Sequence, residues 1–553
     1  MIQHTTIDGL LLREMAMAGS QLLEMNRELV DALNVFPVPD GDTGTNMSLT
    51  MQSAIREINS KEFIRADEAA AALSKGALRG ARGNSGVITS QLLRGFAKAL
   101  NGVEKITPVQ FAEAMKKGSE MAYKAVMKPK EGTILTVARV MAEDAIKQAA
   151  AAPDDFDALF TVILRSGEAI LKRTTEMLPA LKQANVVDSG GRGLLFIYAG
   201  YAAALRGEEI SAVAGNLEGE VGAAEQENAC DGSGELVFTY CTEFTIRHVA
   251  EDCTDTDIDS FRRRLKRMGD HVKVTGDVNE IKVHVHTDHP GSALEYGVEL
   301  GELTDLKINN LREMKRAKEE AEKKAEEAAA PKEPEKEFGM VAVSLGDGFS
   351  QIFRDLTVDC IVEGGQTMNP SIDDILQAIN SVNAKNVFVY PNNGNVVMAA
   401  QQAAKLSEKN VFVIPTKNVA MGIGAAVAFQ PEASAEENVT VMTEAAEHVK
   451  TGTVTYAVRD SEYNGVQIKQ GDYIGLSNGQ ISFAGASVHD VVIEMMKSIV
   501  TEDDELISVY YGADTTEADA EALTAEIAAA YDNCDVECHR GGQPLYYYLI
   551  SVE

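Results

Sequence analysis

Acidic and hydroxyl side chains are crowded into one short stretch near the N-terminus. Asp40 and Asp42 flank Gly41 after two prolines, and the next residues are Thr43, Gly44, Thr45 and Asn46. Alternating residues of an extended segment project to one side, so both carboxylates can face a single cation. Carboxylates suit a hard divalent cation, and the free N–H groups of a helix start suit phosphate. The stretch predicts a magnesium–phosphate site; the alternative is a Gly/Pro turn with a capping aspartate or threonine.

Helical periodicity dominates the first 205 residues. Apolar residues recur at helical spacing in eight segments, near residues 10–30, 46–58, 66–79, 87–101, 108–127, 133–150, 155–178 and 192–205. The connections after the first, third, fifth and seventh helices are rich in glycine, hydroxyl and charged residues. Alternate connections of an up-and-down array lie at the same end, so these four should meet. Four helix N-termini there predict an anion site, although any helical array has a loop-rich end.

Three of these connections resemble a known family. Pro39-Asp40-Gly41-Asp42-Thr43-Gly44, Arg82-Gly83-Asn84-Ser85-Gly86 and Asp188-Ser189-Gly190-Gly191 resemble the ATP-binding L-type domain of dihydroxyacetone kinases. The longer run from Asn34 to Met47 is similar to the ATP-binding subunit of bacterial fatty acid kinase, and the similarity extends over the whole chain. The resemblance implies an eight-helix barrel that binds ATP and Mg²⁺ at one end.

The same resemblance implies an activity and a partner. The γ-phosphate of ATP would pass to the carboxylate of a fatty acid that a separate fatty-acid-binding carrier of the DegV type presents. The product would be an acyl phosphate for phospholipid synthesis. A carboxylate is already ionised at neutral pH, so the reaction needs no general base. The alternatives are a polyol kinase of the dihydroxyacetone type and a non-catalytic, ATP-gated scaffold for a lipid carrier.

The four connections supply the candidate site residues. Asp40 and Asp42 are expected to hold magnesium, and Arg82 and Arg192 to stabilise the transferred charge. The expected nucleotide contacts are Thr43, Gly44, Thr45, Asn46, Ser85, Gly86, Thr133, Asp188 and Arg192. L-type kinases use three aspartates, but this chain has Asn34-Val35 where the third is expected. Asn34 is therefore a substitute candidate, and the number of magnesium ions stays open.

A second cluster of candidate ligands lies in the middle of the chain. After an acidic, flexible linker at 206–235, the pattern over 236–310 predicts a βαββαβ order, which is typical of a small ferredoxin-like α+β domain. His284 and His286 alternate on one predicted strand and Cys241 lies on another. These types suit Zn²⁺, with Glu243 or Asp288 bonded to a histidine; the alternative is a solvent-facing histidine pair. The resemblance favours a metal.

The remaining chain predicts a spacer and a third domain. Residues 311–337 are a charged helical linker. Strands and helices alternate over 338–553, which indicates a doubly wound α/β domain. By resemblance this domain is DegV-like and serves partner docking. Cys534, Cys538 and His539 are interpreted as ordinary surface residues because no further ligand lies nearby in the sequence.

Composition limits the class of protein. The chain has 553 residues and a net charge of −33, which argues against general binding to nucleic acid. No apolar run is long enough to span a membrane, and the N-terminus lacks the pattern of a signal peptide. Six cysteines without framework spacing suggest reduced thiols. We therefore expect a cytoplasmic protein, and a homodimer.

Overall fold

The computed structural model of the protein describes residues 4–34, 41–208, 210, 238–247, 255–276, 280–310, 312, 336–365, 368–457, 461–463 and 466–553. These form two compact units. One joins the N-terminal region to the C-terminal region (Met1–Val221 and Pro334–Glu553), and the other is the middle region (Gly222–Glu333). Asp40 and nearly all of the two predicted linkers lie outside the described residues.

The N-terminal region is a closed ring of helices. Its helices are α1 (Gly9–Met25), α2 (Arg27–Leu33), α3 (Thr43–Ile58), α4 (Ala66–Gly80), α5 (Gly83–Ala99), α6 (Pro108–Ala125), α7 (Ile134–Ala151), α8 (Phe156–Met177), α9 (Pro179–Ala184) and α10 (Ser189–Arg206). The eight longer helices contact one another in chain order, and α10 packs against α1. The ring closes around one apolar core, which confirms the predicted helical barrel.

Small residues allow the helices of this barrel to approach closely. A Cβ added at Gly95 of α5 would lie 2.4 Å from the Lys117 carbonyl oxygen of α6. A Cβ at Gly200 of α10 would lie 2.5 Å from the Ala18 carbonyl oxygen of α1. Such distances leave no room for a larger residue, so both helix pairs depend on glycine at the crossing.

One predicted helix is interrupted. The apolar pattern of residues 10–30 predicts a single helix, but α1 ends at Met25 and α2 begins at Arg27. Asn26 lies between them with φ −109° and ψ 14°, and its side-chain Nδ2 donates to the Leu22 carbonyl oxygen at 2.8 Å. The redirected helix α2 carries Asp31 towards the N-terminus of α3.

The middle region confirms the predicted βαββαβ order. Its elements are β1 (Tyr240–Arg247), α11 (Asp255–Met268), β2 (Gly269–Gly276), β3 (Glu280–Thr287), α12 (Pro290–Val298) and β4 (Glu302–Asn310). The strands form one antiparallel sheet in the order β2-β3-β1-β4. Phe244, Phe261 and Leu265 lie in the apolar core of this unit. The result is a ferredoxin-like α+β fold.

The C-terminal region begins with a doubly wound half. Its elements are β5 (Lys336–Ser344), α13 (Asp347–Asp355), β6 (Cys360–Glu363), α14 (Ile372–Ser381), β7 (Ala384–Tyr390), α15 (Val397–Leu406), β8 (Asn410–Val413), α16 (Val419–Val427) and α17 (Ala435–His448). The four strands are parallel in the order β6-β5-β7-β8. Separate apolar clusters cover the two faces of this sheet, as the sequence pattern predicts.

The rest of the C-terminal region contains a six-stranded mixed sheet and a separate two-stranded sheet. Its elements are β9 (Lys450–Tyr456), β10 (Ser461–Tyr463), β11 (Val466–Ile468), β12 (Tyr473–Ser477), β13 (Gln480–Gly485), α18 (Val488–Ile499), β14 (Leu506–Tyr511), α19 (Glu517–Ala530), β15 (Asp535–Arg540) and β16 (Tyr548–Val552). The sheet order is β13-β12-β9-β16-β14-β15. The strands β10 and β11 form the two-stranded sheet, and the other six strands form the mixed sheet. Among the described helices, none combines the length and apolar character that crossing a membrane requires.

Candidate functional site

The four predicted connections meet at one end of the barrel, which we call the four-loop end (residues 41–46, 80–86, 128–134 and 188–193). The Ser85 hydroxyl of α5 lies 3.5 Å from the Thr43 hydroxyl of α3. The Ser189 hydroxyl of α10 lies 3.2 Å from the same oxygen. The backbone N–H of Ile134, the first residue of α7, bonds to the Asp188 carboxylate. Four helix N-termini therefore converge, and the positive ends of their dipoles favour an anion.

Asp42 is buried at the centre of this end, with only 9% of its surface exposed. It precedes α3, but its side chain makes no capping bond, contrary to one alternative drawn from the sequence. Instead, Asn369 Nδ2 donates to Asp42 Oδ2 at 2.5 Å. The net effect is a pKa of about 6 for Asp42: burial raises it most and the charge of Asp31 also raises it, against the hydrogen bonds from Asn46 and Asn369. The carboxylate is thus held where a cation would stabilise its ionised form.

Asp31 is a carboxylate of this site that sequence reasoning missed. The Thr45 backbone N–H donates to Asp31 Oδ1 at 3.0 Å, and the Thr45 hydroxyl donates to Oδ2 at 2.7 Å. Burial raises the pKa of Asp31. The family pattern places a third aspartate where this chain has Asn34-Val35, and Asp31 lies about one helical turn before Asn34. Thr45 therefore anchors a carboxylate, so its hydroxyl is not free for phosphate.

Four other residues that were predicted to contact the nucleotide, namely Asn46, Gly44, Gly86 and Thr133, are packed against or bonded to protein groups. Asn46 is 3% exposed, and its side chain bonds to Asp42. Glycine at 44 and 86 permits close packing, since an added Cβ would lie 2.3 Å from the Arg27 carbonyl oxygen and 2.3 Å from Thr50 Oγ1, respectively. The Thr133 hydroxyl donates to the Lys130 carbonyl oxygen at 2.9 Å.

Asp188 caps α10, because its carboxylate accepts from the Gly191 N–H at 2.7 Å. Burial raises the pKa of Asp188 to about 6, although the N–H groups of Gly191 and Ile134 both donate to it. One carboxylate therefore ties the N-terminus of α10 to that of α7. Its observed contacts order the four-loop end.

Both candidate arginines are engaged by protein groups. The Arg82 guanidinium donates to the Asn369 carbonyl oxygen at 2.7 Å and lies 3.3 Å from the Asp374 carboxylate. Arg192 forms a two-pronged ion pair with Glu168, at 3.1 and 3.2 Å. In this arrangement Arg82 joins the barrel to the C-terminal region, a contact that no pattern in the sequence predicts. Each arginine has further N–H donors beyond those that these contacts use.

The donors at Asp42 fit magnesium. Hard divalent cations prefer carboxylate and amide oxygens, and two carboxylates lie here beside the amides of Asn46 and Asn369. Among the described residues, the groups that stabilise the Asp42 charge are amides rather than a cation. The side-chain oxygen of Asn369 is buried without any hydrogen-bond partner. A buried, partnerless oxygen beside a desolvated carboxylate is the setting that a cation satisfies.

The middle region brings together Cys241, His284 and His286. Their candidate ligand atoms lie within 4.8 Å of one another. A tetrahedral zinc with one sulfur and two nitrogen ligands would need separations of roughly 3.5 Å, so small adjustments suffice. Burial lowers the pKa of His286, followed by the charges of His284 and His271. This favours the neutral imidazole that binds metals.

The two carboxylates predicted to support this cluster, Glu243 and Asp288, make different contacts. Glu243 Oε1 lies 2.6 Å from His284 Nδ1, so Glu243 orients that ring. Asp288 accepts from the Thr239 N–H at 2.8 Å, and hydrogen bonds from the Thr239 side chain and backbone lower its pKa. Of the two alternatives that the sequence offers, Glu243 is the one with this close contact to the cluster. Asp270 is a group that sequence reasoning missed, since its carboxylate oxygen lies 3.5 Å from His286 Nδ1.

Comparisons with known proteins divide the chain as the fold does. The family model described as DAK2 domain matches residues 37–203. Two FakA-like models, which describe fatty acid kinase, match residues 237–318 (middle domain) and residues 339–553 (C-terminal). Protein YloV of Bacillus subtilis is 44% identical over 557 residues, which cover 99% of each chain.

Two solved structures resemble parts of the chain. A fatty-acid-binding DegV family protein from Thermus thermophilus is 13% identical with a TM-score of 0.28, covering 39% of this chain and 99% of that one. The dihydroxyacetone kinase of C. freundii is 11% identical with a TM-score of 0.30, covering 39% of this chain and 48% of that one.

The near full-length relative and the three consecutive family models together establish the family. The chain belongs to the FakA-like family of fatty acid kinase proteins, with a DAK2 domain as its helical barrel.

Proposed function

We propose that this protein is an ATP-dependent fatty acid kinase. It transfers the γ-phosphoryl group of ATP to the carboxylate of a fatty acid, which a separate fatty-acid-binding carrier of the DegV type presents. The observation that carries the proposal is the gathering of Thr43, Ser85 and Ser189 at converging helix N-termini beside buried Asp42. In a chain of this family, that arrangement supports nucleotide binding at the four-loop end.

The reaction requires the protein mainly to align the fatty acid carboxylate with the γ-phosphate of ATP and to neutralise charge. An ionised carboxylate oxygen attacks the γ-phosphorus, the bond from that phosphorus to the bridging oxygen breaks, and ADP leaves. No proton moves, because the carboxylate is ionised at neutral pH. This accords with a four-loop end whose described residues offer carboxylates, amides, hydroxyls and basic side chains but no histidine. Alignment and charge neutralisation would supply the rate enhancement.

Different residues would hold magnesium, bind phosphate oxygens and stabilise the charge on the transferred group. Asp42, Asp31 and Asp40 are the proposed carboxylates for magnesium, which when bound would neutralise charge on the β- and γ-phosphates. The N–H groups at the starts of α3, α5 and α10 would bind phosphate oxygens. Arg82 or Arg192 would stabilise the charge on the transferred group. Cys241, His284 and His286 would hold zinc as a separate centre in the middle region.

Turnover assays separate this proposal from its alternatives. Purified protein receives ATP and Mg²⁺ with carrier loaded with fatty acid, with empty carrier, or with dihydroxyacetone. We expect ADP formation only with loaded carrier. Asp42→Asn should abolish it, whereas Asp144→Asn, a surface change next to Lys147, should not. Equal turnover with empty carrier would reject the proposal, and turnover with dihydroxyacetone would favour the polyol kinase.

A further inference from the structure

A residue of the C-terminal region reaches the four-loop end. Asn369 lies just before α14, yet its side chain contacts Asp42, which is 327 positions away in the sequence. Its Nδ2 donates to Asp42 Oδ2 at 2.5 Å and lies 3.5 Å from Asn46 Oδ1. Asn369 is 1% exposed. The site that the barrel builds for nucleotide is therefore lined by a second region of the chain.

The position of Asn369 is held by several independent contacts. Arg82 donates to its carbonyl oxygen, and the Ile372 N–H donates to the Ala81 carbonyl oxygen at 3.1 Å. Ala81 and Val87 of the barrel are fully buried in the apolar cluster of α14 and α15. Asn84 Nδ2 adds a bond to Asn395 Oδ1 at 2.9 Å. Asn369 is thus placed by an extended contact between barrel and C-terminal region rather than by its own side chain alone.

The side-chain oxygen of Asn369 is one of the buried atoms in the described residues that have no hydrogen-bond partner, and it lies at this contact. It is buried and has no hydrogen-bond partner, although the nitrogen of the same amide is bonded. Native proteins leave few buried acceptors unsatisfied, and such atoms commonly mark a site for an ion or water. Rotation of the amide by half a turn would exchange its two ends and present the oxygen to the Asp42 side. At neutral pH, where Asp42 is ionised, a cation between the two oxygens would stabilise that arrangement.

We infer that the side-chain oxygen of Asn369 is a ligand for the cation held by Asp42, contributed by the C-terminal region. The inference rests on the proposed function, in which a magnesium nucleotide binds at the four-loop end. The kinase site is then complete only when the C-terminal region is docked on the barrel. Asn369 bonded only through its nitrogen is the competing arrangement, in which it would block the cation rather than bind it.

The test is the Mg²⁺ concentration needed for a non-hydrolysable ATP analogue to bind, measured by calorimetry on the full-length chain. We expect Asn369→Ala to raise this concentration roughly 10- to 100-fold, as loss of a supporting ligand does at other metal sites. Asn369→Asp keeps an oxygen but has no N–H donor, so it should restore cation binding. Asn395→Ala, which removes another bond across the same contact, should leave the requirement unchanged.

The other possible outcomes of this test would contradict either the ligand role of Asn369 or the proposed function. Unchanged Mg²⁺ dependence in Asn369→Ala, or stronger binding, would overturn the ligand role. Failure of Asn369→Asp to restore binding would show that the N–H donor matters and would also overturn it. An equal loss in Asn395→Ala would assign the effect to docking. If the unaltered protein bound nucleotide without any Mg²⁺ dependence, the proposed function itself would fail, and the inference with it.

Discussion

Gly83 offers a stringent test of the four-loop end, because a side chain there would enter the site. Gly83 begins α5 with φ +56°, and an added Cβ would lie 2.5 Å from Asn46 Nδ2 and 3.3 Å from Asn369 Nδ2. Gly83→Ala therefore strains the backbone and displaces the side chain of Asn46. Left-handed backbone costs a non-glycine residue roughly 1–2 kcal/mol. Loss of one hydrogen bond to the ionised Asp42 costs about 1.5–3 kcal/mol more.

Gly102→Ala is the matched control. Gly102 has φ +84°, and nothing lies within 4 Å of an added Cβ. Gly102→Ala should lower the melting temperature of the barrel by roughly 2–8 °C for 1–2 kcal/mol in a domain of this size. Gly83→Ala should lower it further, because it also loses a hydrogen bond. Only Gly83→Ala should weaken binding of the magnesium nucleotide, by about tenfold or more, since about 1.4 kcal/mol is tenfold. Equal nucleotide affinity in the two folded variants would refute the placement of Asn46 in the site.

Three further predictions concern single charges and ligands. Asp31→Asn removes a negative charge beside Asp42, so the Mg²⁺ concentration that supports nucleotide binding should rise; an unchanged titration would count against Asp31 as a site carboxylate. Asp188 has a pKa raised from 3.8 to about 6, so its folded form holds a proton longer than the unfolded chain does, and stability should fall as pH rises from about 4 to 6. Asp188→Asn should flatten that part of the melting-temperature profile, and an unaltered slope would assign the effect to other groups. His284→Ala should reduce zinc content, measured by elemental analysis of the folded full-length chain, from about one per chain to near none; stoichiometric zinc in the variant would exclude His284 as a ligand.

The barrel was predictable because its signals are local. Apolar periodicity predicts each long helix, and the parity of the connections predicts that four of them meet. The break at Asn26 was not predictable in the same way. The bond from its side chain to the Leu22 carbonyl oxygen leaves the apolar pattern unchanged. Because this break was not predicted, Asp31 on α2 was not predicted to be a carboxylate of the four-loop end.

The contribution of the C-terminal region was beyond sequence reasoning. Asn369 precedes an ordinary helix, and nothing in its neighbourhood indicates a partner in the first fifty residues. Arg82 was interpreted as a catalytic cation from its motif, yet the structure shows it bonded to the Asn369 carbonyl oxygen and close to Asp374. Contacts between distant segments depend on how two domains dock, and a local pattern does not encode that.

In the middle region, too, the sequence predicts the positions of the ligands on the strands but not the carboxylates that support them. Alternation placed His284 and His286 on one strand, and pairing of β1 with β3 brings Cys241 opposite His286. The supporting carboxylate was one of two possibilities, and the structure selects Glu243 at 2.6 Å from His284 Nδ1. Asp270 reaches His286 from β2, the strand whose register shifts between Asp270 and Lys273. An irregular strand of this kind is not visible in the alternation of the sequence.

The central claim is that the protein phosphorylates a carboxylate at the four-loop end. Trapping the product with hydroxylamine tests it most directly, because an acyl phosphate yields a hydroxamate that mass spectrometry identifies. We predict one fatty hydroxamate for each ADP formed with loaded carrier, and none with Asp42→Asn. ADP formation without any hydroxamate, or an undiminished yield from Asp42→Asn, would contradict the account.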